Sequence, residues 1–138
     1  PKERLESRRL CTWVSRKLEK EVMKNILDER VFKSLKENNQ PSTVALNAGR
    51  KNLKNHMSYF NWLLNRRSFL SGDNFNVADI SLASALSSLD YLNEVDWNNF
   101  ENVKNWYALI KSRPTFRVIL EESIYNILPS NHYKDLDF

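Results

Sequence analysis

The sequence predicts an all-α protein, a helical bundle in a single domain, and three observations carry that reading. Only two glycines, Gly49 and Gly72, occur in 138 residues, too few for the closely spaced turns of an all-β fold. Apolar residues recur at helical spacing over long stretches, as they must when one stripe of each helix faces a core. Residues 69–80, Phe-Leu-Ser-Gly-Asp-Asn-Phe-Asn-Val-Ala-Asp-Ile, read as a turn that launches a buried helix.

The first helix is expected from Pro1 or just after, since Pro is tolerated in a first turn and Glu3 and Glu6 suit the positive end of the helix dipole. Leu10, Val14, Leu18, Val22 and Ile26 recur every four residues, joined by Cys11, Trp13, Met23 and Leu27. A break is expected before helicity resumes through Val31, Phe32 and Leu35. Asn38-Asn39-Gln40-Pro41-Ser42 is a polar connector whose proline stops the preceding helix. The second helix runs from about Thr43 to Arg66, with Leu46, Gly49, Leu53, Met57, Phe60, Leu63 and Leu64 inward. Gly49 inside this pattern costs about 1 kcal/mol relative to Ala, which points to close approach of another helix. Arg66 and Arg67 suit the negative end of the dipole.

Asn76 is the expected N-cap of the third helix, its side-chain oxygen accepting from a first-turn N–H, and Asp79 can return a bond to the N-cap backbone. Phe75 and Ile80 hold the two positions of a hydrophobic staple. The stretch to Leu92 is apolar nearly all round through Leu82, Ala83, Ala85, Leu86, Leu89 and Leu92, the mark of a central helix. After a connector at Asp96-Trp97-Asn98-Asn99, Val103, Trp106, Tyr107 and Ile110 outline the inner face of a fourth helix. Arg113-Pro114 breaks it, and a short helix follows to about Glu122.

No apolar run approaches the roughly 18 residues of a membrane span, and no secretory leader is visible. The lone Cys11 cannot form an internal disulfide, so a reducing, cytoplasmic setting is expected. The chain opens on Pro1 without a methionine and reads as part of a longer protein. Two glycines also exclude a P-loop and a dinucleotide fingerprint. Charge is lopsided: residues 1–67 hold 16 Lys/Arg against 7 Asp/Glu, and residues 68–138 hold 5 against 10. That pattern fits either the solvated faces of long helices or a basic surface for an acidic partner. Nucleic-acid binding is not expected, because no aromatic-interleaved basic motif or finger spacing is present.

His56 and His132 lie apart from any His, Cys or carboxylate at metal-ligand spacing, so no metal is expected. His56 reads as a packed helix residue, Cys11 as a buried inert thiol, and Ser81, Ser84, Ser87 and Ser88 as small packing residues. No catalytic constellation is present. After the breaker Leu128-Pro129-Ser130-Asn131, the ending His132-Tyr133-Lys134-Asp135-Leu136-Asp137-Phe138 alternates acids with hydrophobes. It reads either as a recognition motif built on Asp135, Leu136, Asp137 and Phe138, or as a tail that folds back and buries Leu136 and Phe138.

The order Leu-Ser-Gly-Asp, Asn-Val-Ala-Asp-Ile, a central helix, Val103-Lys104-Asn105-Trp106-Tyr107 and Ser112-Arg113-Pro114 resembles the C-terminal helical domain of the glutathione S-transferase superfamily. Asn76 stands where Ser or Thr is usual, and Glu101 where Pro is frequent. The resemblance implies a helical domain over 1–128, a tail over 129–138, and a thioredoxin-like N-terminal domain outside this chain that carries any catalytic residue and binds glutathione. It implies that Arg9, Trp13, Arg16 and Lys17 face the substrate cleft. Trp13 reads equally as plain packing against that other domain. The Lys2-Glu3-Arg4 opening, Arg8-Arg9-Leu10, Ser88-Leu89-Asp90-Tyr91-Leu92, Lys111-to-Arg117 and the ending sharpen the likeness to an alphaproteobacterial branch that binds the division protein FtsZ without catalysis. That implies a cytoplasmic, dimeric division factor with FtsZ and the division machinery as partners. It further implies that Asp135, Leu136, Asp137 and Phe138 of the tail contact the wall-synthesis machinery and that the basic first half complements an acidic FtsZ filament. The alternative is an active glutathione transferase, with a helical scaffold of a translation complex as a third reading.

Overall fold

The computed structural model describes residues 1–36 and 40–138. Among these, five helices form the bundle: α1 over 2–36, α2 (Thr43–Arg66), α3 (Val77–Tyr91), α4 (Glu101–Lys111) and α5 (Pro114–Leu120), with a 3-10 turn at Trp97–Asn99. The all-α fold read from the sequence is the fold observed.

Helix α1 is continuous, and the break expected near Val31 does not occur. Its pitch instead varies, because Trp13–Met23 and Asp28–Phe32 take the wider i→i+5 turn. The apolar stripe accounts for this. On a 3.6-residue helix each step of four overshoots by about 40°, so a stripe repeating every four would wrap off one face. A wider turn keeps it aligned. Leu10, Leu18, Val22 and Ile26 are fully buried in consequence, while Phe32 and Leu35 stay half-exposed.

Of the expected connector, Asn38 and Asn39 lie outside the described residues. The Ser42 hydroxyl caps α2 by accepting from the Ala45 N–H at 3.3 Å, and Glu29 of α1 accepts from the Ser42 N–H at 2.8 Å. Gly49 serves the close approach its position suggested: a Cβ there would stand 2.9 Å from Ile26 Cγ1 and 3.0 Å from Asn25 Cβ.

The capping box forms as read. Asn76 Oδ1 accepts from the Ala78 N–H, and Asp79 Oδ2 accepts from the Asn76 N–H, both at 2.9 Å. The second Asp79 oxygen takes the Leu70 N–H at 3.0 Å and the Trp106 indole N–H of α4 at 2.8 Å, and the residue is fully buried. Phe75 packs edge-on to Phe69 with the Arg113 guanidinium 3.5 Å above its ring, and Ile80 remains 48% exposed. The turn before the helix needs Gly72, whose φ of +156° suits glycine and whose missing Cβ leaves room for the Glu3 carboxylate.

Helix α3 ends in a Schellman motif: Asn93 adopts φ 59°, its N–H reaches the Asp90 carbonyl, and the Glu94 N–H reaches the Leu89 carbonyl, both at 2.9 Å. Glu94 is gripped by Arg50 at 2.7 Å and Arg30 at 2.9 Å, tying α1 and α2 to this end. Helix α4 has no cap of its own. Asn61 of α2 supplies one, its Oδ1 accepting from the N–H groups of Asn102 at 3.0 Å and Val103 at 3.2 Å.

Two stability outcomes follow from these contacts. Asp79→Ala leaves three N–H donors without their acceptor, so it should cost about 3 kcal/mol or more, measured as a lower denaturation midpoint at constant slope. Gly49→Ala gains about 1 kcal/mol of helix propensity but overpacks against Ile26 at about 1–3 kcal/mol. A net loss in the same assay is expected, and a gain would show that α1 and α2 can separate freely.

Candidate functional site

Helix α1 carries a second row beside its core stripe, at the same spacing of four: Arg9, Trp13, Lys17 and Glu21. The wide turn of Trp13–Met23 keeps this row in line against α2. Trp13 stacks on Tyr59 with centroids 4.7 Å apart and donates its indole N–H to His56 Nδ1 at 3.0 Å. Lys17 Nζ lies 4.6 Å from the Trp13 ring centroid. Arg9 bonds Glu6 at 2.6 Å and the Tyr59 hydroxyl at 2.7 Å. These bonds hold the Glu6 carboxyl down at about 2, through Arg9 first and then Arg67 and against the effect of burial.

Three of the four cleft residues named from the sequence thus come together. Arg16 does not; it is exposed and off the row. Tyr59, Trp62 and Arg66 of α2 complete the surface and were missed. Their spacing, three then four residues apart alongside the inward Phe60 and Leu63, is the signal that marks a second face on that helix.

His56 is 3% exposed, so it is a packed histidine, and its protonation is dictated by its neighbours. An indole nitrogen can only donate, so Nδ1 is the bare acceptor and Nε2 carries the proton toward Glu21 at 3.0 Å. Burial lowers its pKa despite the pull of Glu21. Cys11 is half-buried beside the Ser81 hydroxyl at 3.6 Å, on a part of the helix that does not bring it to His56 among the described contacts. Ser87 bonds back to the Ser84 carbonyl at 2.7 Å within α3. No three His, Cys, Asp or Glu side chains among the described residues converge as metal ligands. No helix among them is long and apolar enough to cross a membrane.

The C-terminal segment lies against the end of α3 and against α4. Tyr133 is buried, Leu136 and Phe138 are half-buried, and Asp135 and Asp137 are exposed. The Ser130 N–H bonds the Tyr91 carbonyl at 2.9 Å, and His132 Nε2 bonds Asp90 at 2.7 Å. The Phe138 ring stacks on His132 and meets Trp97 edge-on. Beneath it sits Lys111, fully buried, its Nζ 4.2 Å from the Phe138 centroid and 3.2 Å from the His132 carbonyl. Burial lowers the Lys111 pKa while Asp90 and Asp135 pull it back up. Burial also raises Tyr107, helped by the Asp90 charge, and Tyr133 is pushed up to about 12 for the same reasons. Asp90 Oδ2 and the Tyr107 hydroxyl find no partner among the described residues. Lys111 was not singled out from the sequence, although it continues the four-residue spacing of Val103 and Tyr107.

A model of the "Glutathione S-transferase, C-terminal domain" family matches residues 17–122. FtsZ-localized protein A of Caulobacter vibrioides is 41% identical over all 138 residues, which span 60% of that relative. The solved structure of FzlA from C. crescentus superposes with a TM-score of 0.98 at 41% identity, covering all of this chain and 61% of the other. A glutathione S-transferase from Rhodospirillum rubrum F11 is 43% identical with a TM-score of 0.95, covering 99% of this chain and 61% of that one. One from Sinorhizobium meliloti 1021 is 39% identical at the same TM-score, covering this whole chain and 62% of that one. The chain therefore spans about three fifths of the relatives it matches.

The His56 geometry sets a pH dependence. The unfolded chain takes up a proton near pH 6.5, whereas folded His56 resists it because burial penalises the charged ring. This contribution to stability is complete above pH 6.5 and drains as pH falls toward the lowered folded value. Denaturation midpoints between pH 7 and 5 should fall more steeply for the wild type than for His56→Gln; parallel lines would refute the lowered pKa.

Proposed function

The chain belongs to the glutathione S-transferase C-terminal domain family, and on that premise we propose that it serves as a non-catalytic binding domain of an FtsZ-binding division factor. The full protein in this reading is cytoplasmic and homodimeric, with a thioredoxin-like domain beside this one. The similarity to FtsZ-localized protein A over the whole chain supports it.

The observation that carries the reading is the seated tail. Leu136 and Phe138 anchor it to the body while Asp135 and Asp137 face solvent on a backbone already ordered. Ordering paid for during folding is not charged again at binding, so a pre-organised acidic pair recognises a partner at lower entropic cost. The tail combines the two roles its composition allowed: its hydrophobes fold back and its carboxylates are displayed.

A second reading, an active glutathione transferase, is favoured by the two transferases at 43% and 39% identity. Glutathione would then be held by the other domain, and Arg9, Trp13 and Lys17 would wall the cleft for the second substrate.

The test is co-sedimentation of the full-length protein with FtsZ polymers from the same organism. Saturable pelleting of the wild type is expected, and Asp135→Lys with Asp137→Lys should abolish it at unchanged melting temperature. Deleting 135–138 should also abolish it and cost about 1–2 kcal/mol from the lost Leu136 and Phe138 burial. No pelleting with polymer confirmed, together with glutathione conjugation to a chromogenic electrophile, would move the assignment to the second reading.

A further inference from the structure

The seated tail closes over two charges, Lys111 of α4 and Asp90 at the end of α3, and both are fully buried. The Tyr107 ring centroid of α4 lies 5.5 Å from Lys111 Nζ. From the tail come the His132 carbonyl at 3.2 Å, the Phe138 ring at 4.2 Å and the charge of Asp135, while Asp90 adds its charge from α3. Lys104 flanks the other cation, 5.6 Å from the same Phe138 centroid.

Neither buried charge is fully satisfied there. An ammonium carries three donors, and among the described residues Lys111 finds one oxygen acceptor, the His132 carbonyl. Asp90 takes the Trp97 indole at 2.8 Å and His132 at 2.7 Å on one oxygen, and its other oxygen has no partner among those residues. The buried Tyr107 hydroxyl has none either. Solvent reaching these groups would complete their bonds, so hydration favours lifting the tail.

What holds the tail down is mainly apolar. Tyr133 is buried, Leu136 and Phe138 are half-buried, and Phe138 meets Trp97 edge-on. Two main-chain bonds fold the segment on itself, from the Tyr133 N–H to the Ser130 carbonyl and from the Asp135 N–H to the His132 carbonyl, both at 3.1 Å. The Ser130 N–H bond to the Tyr91 carbonyl ties it to the body. Against these stands the desolvation of two ions, which in buried pairs often exceeds their attraction. Burial lowers the Lys111 pKa in spite of Asp90 and Asp135, which has the same sense. Opposed terms of this kind make a two-state element rather than a fixed one.

We propose that residues 131–138 form a latch that opens and closes over Lys111 while the bundle stays folded. Closed, it cages the ammonium beneath Phe138; open, it leaves Lys111 and Asp90 hydrated. Lys111 is then a positioning residue that sets how much of the time Asp135 and Asp137 are held in place. That consequence rests on the reading that these carboxylates are recognised, whereas the latch itself does not. A partner that needs the closed tail binds with an affinity reduced by the open fraction.

The test is hydrogen–deuterium exchange of the full-length protein, read at the Tyr133 and Asp135 amides and along α3, with acetylation of Lys111 followed by mass spectrometry. In the wild type both tail amides and Lys111 should react faster than α3 exchanges. Phe138→Ala should speed them roughly tenfold with α3 unchanged, as sub-global opening requires. Asp90→Asn combined with Lys111→Met removes both charges and keeps an oxygen for the Trp97 indole and His132. Its tail amides should exchange roughly tenfold more slowly than the wild type's. Faster exchange there overturns the proposal, because an ion pair would then be holding the tail down. Tail amides and Lys111 that react only at the α3 rate, in the wild type and in Phe138→Ala, overturn it too; those two proteins carry the test if the neutral variant does not fold. A working latch in a protein that does not pellet with FtsZ refutes the division reading alone. Pelleting with a tail that moves only with the whole fold refutes the latch alone.

Discussion

The Asp79 carboxylate is the constraint on which the bundle depends. A buried carboxylate is costly to desolvate and persists only when its oxygens are fully bonded. Here three donors from three places converge on it: the Leu70 N–H of the turn, the Asn76 N–H of the cap and the Trp106 indole of α4. None can move alone without leaving the charge short of a partner, so the turn, the start of α3 and the side of α4 are fixed together. The other end of α3 repeats the device less completely. Asp90 is also fully buried and receives the Trp97 indole at 2.8 Å and His132, yet one of its oxygens has no partner among the described residues. The fold is anchored at the first carboxylate, and the tail is seated at the second.

The pitch of α1 links core to surface. A stripe at every fourth residue needs a helix wider than 3.6 residues per turn, and once Trp13–Met23 adopts that turn, every other row of the helix follows. Arg9, Trp13, Lys17 and Glu21 align for the same reason that Leu10, Val14, Leu18 and Val22 do. Packing inside the bundle therefore determines the display outside it, and it explains why Arg16, on neither row, joins no cluster.

What was legible in the sequence was local. The Asn76–Asp79 box, the limits of α2 and the proline start of α5 each rest on residues a few positions apart, and each is observed. What was not legible depends on partners remote in the chain. The α4 cap comes from Asn61, the His56 tautomer is imposed by Trp13, and Lys111 is sheltered by Phe138. Nor were the ring partners of Phe75 legible: Phe69 and Arg113 are contacts that sequence spacing does not reveal. The wide turns of α1 lay half-hidden: the four-residue period was visible, but its departure from 3.6 was read as an ordinary helical stripe.

Net charge is a similarly mixed signal, because it counts structural and displayed groups alike. Among the basic residues of the first half, Arg30 and Arg50 are committed to Glu94, and Arg67 to Glu6 and the Leu70 carbonyl. Among the acidic residues of the second half, Asp79 and Asp90 are interior and Glu94 nearly so. Subtracting these leaves the charges that a partner can meet. In the first half they include Lys17 and Arg66, each held against an aromatic ring. In the second they include Asp135 and Asp137, held outward by the docked Leu136 and Phe138. Displayed charges of either sign steer oppositely charged partners to them. A single net charge could not have said so, since the two displays differ in sign and the structural ion pairs obscure both.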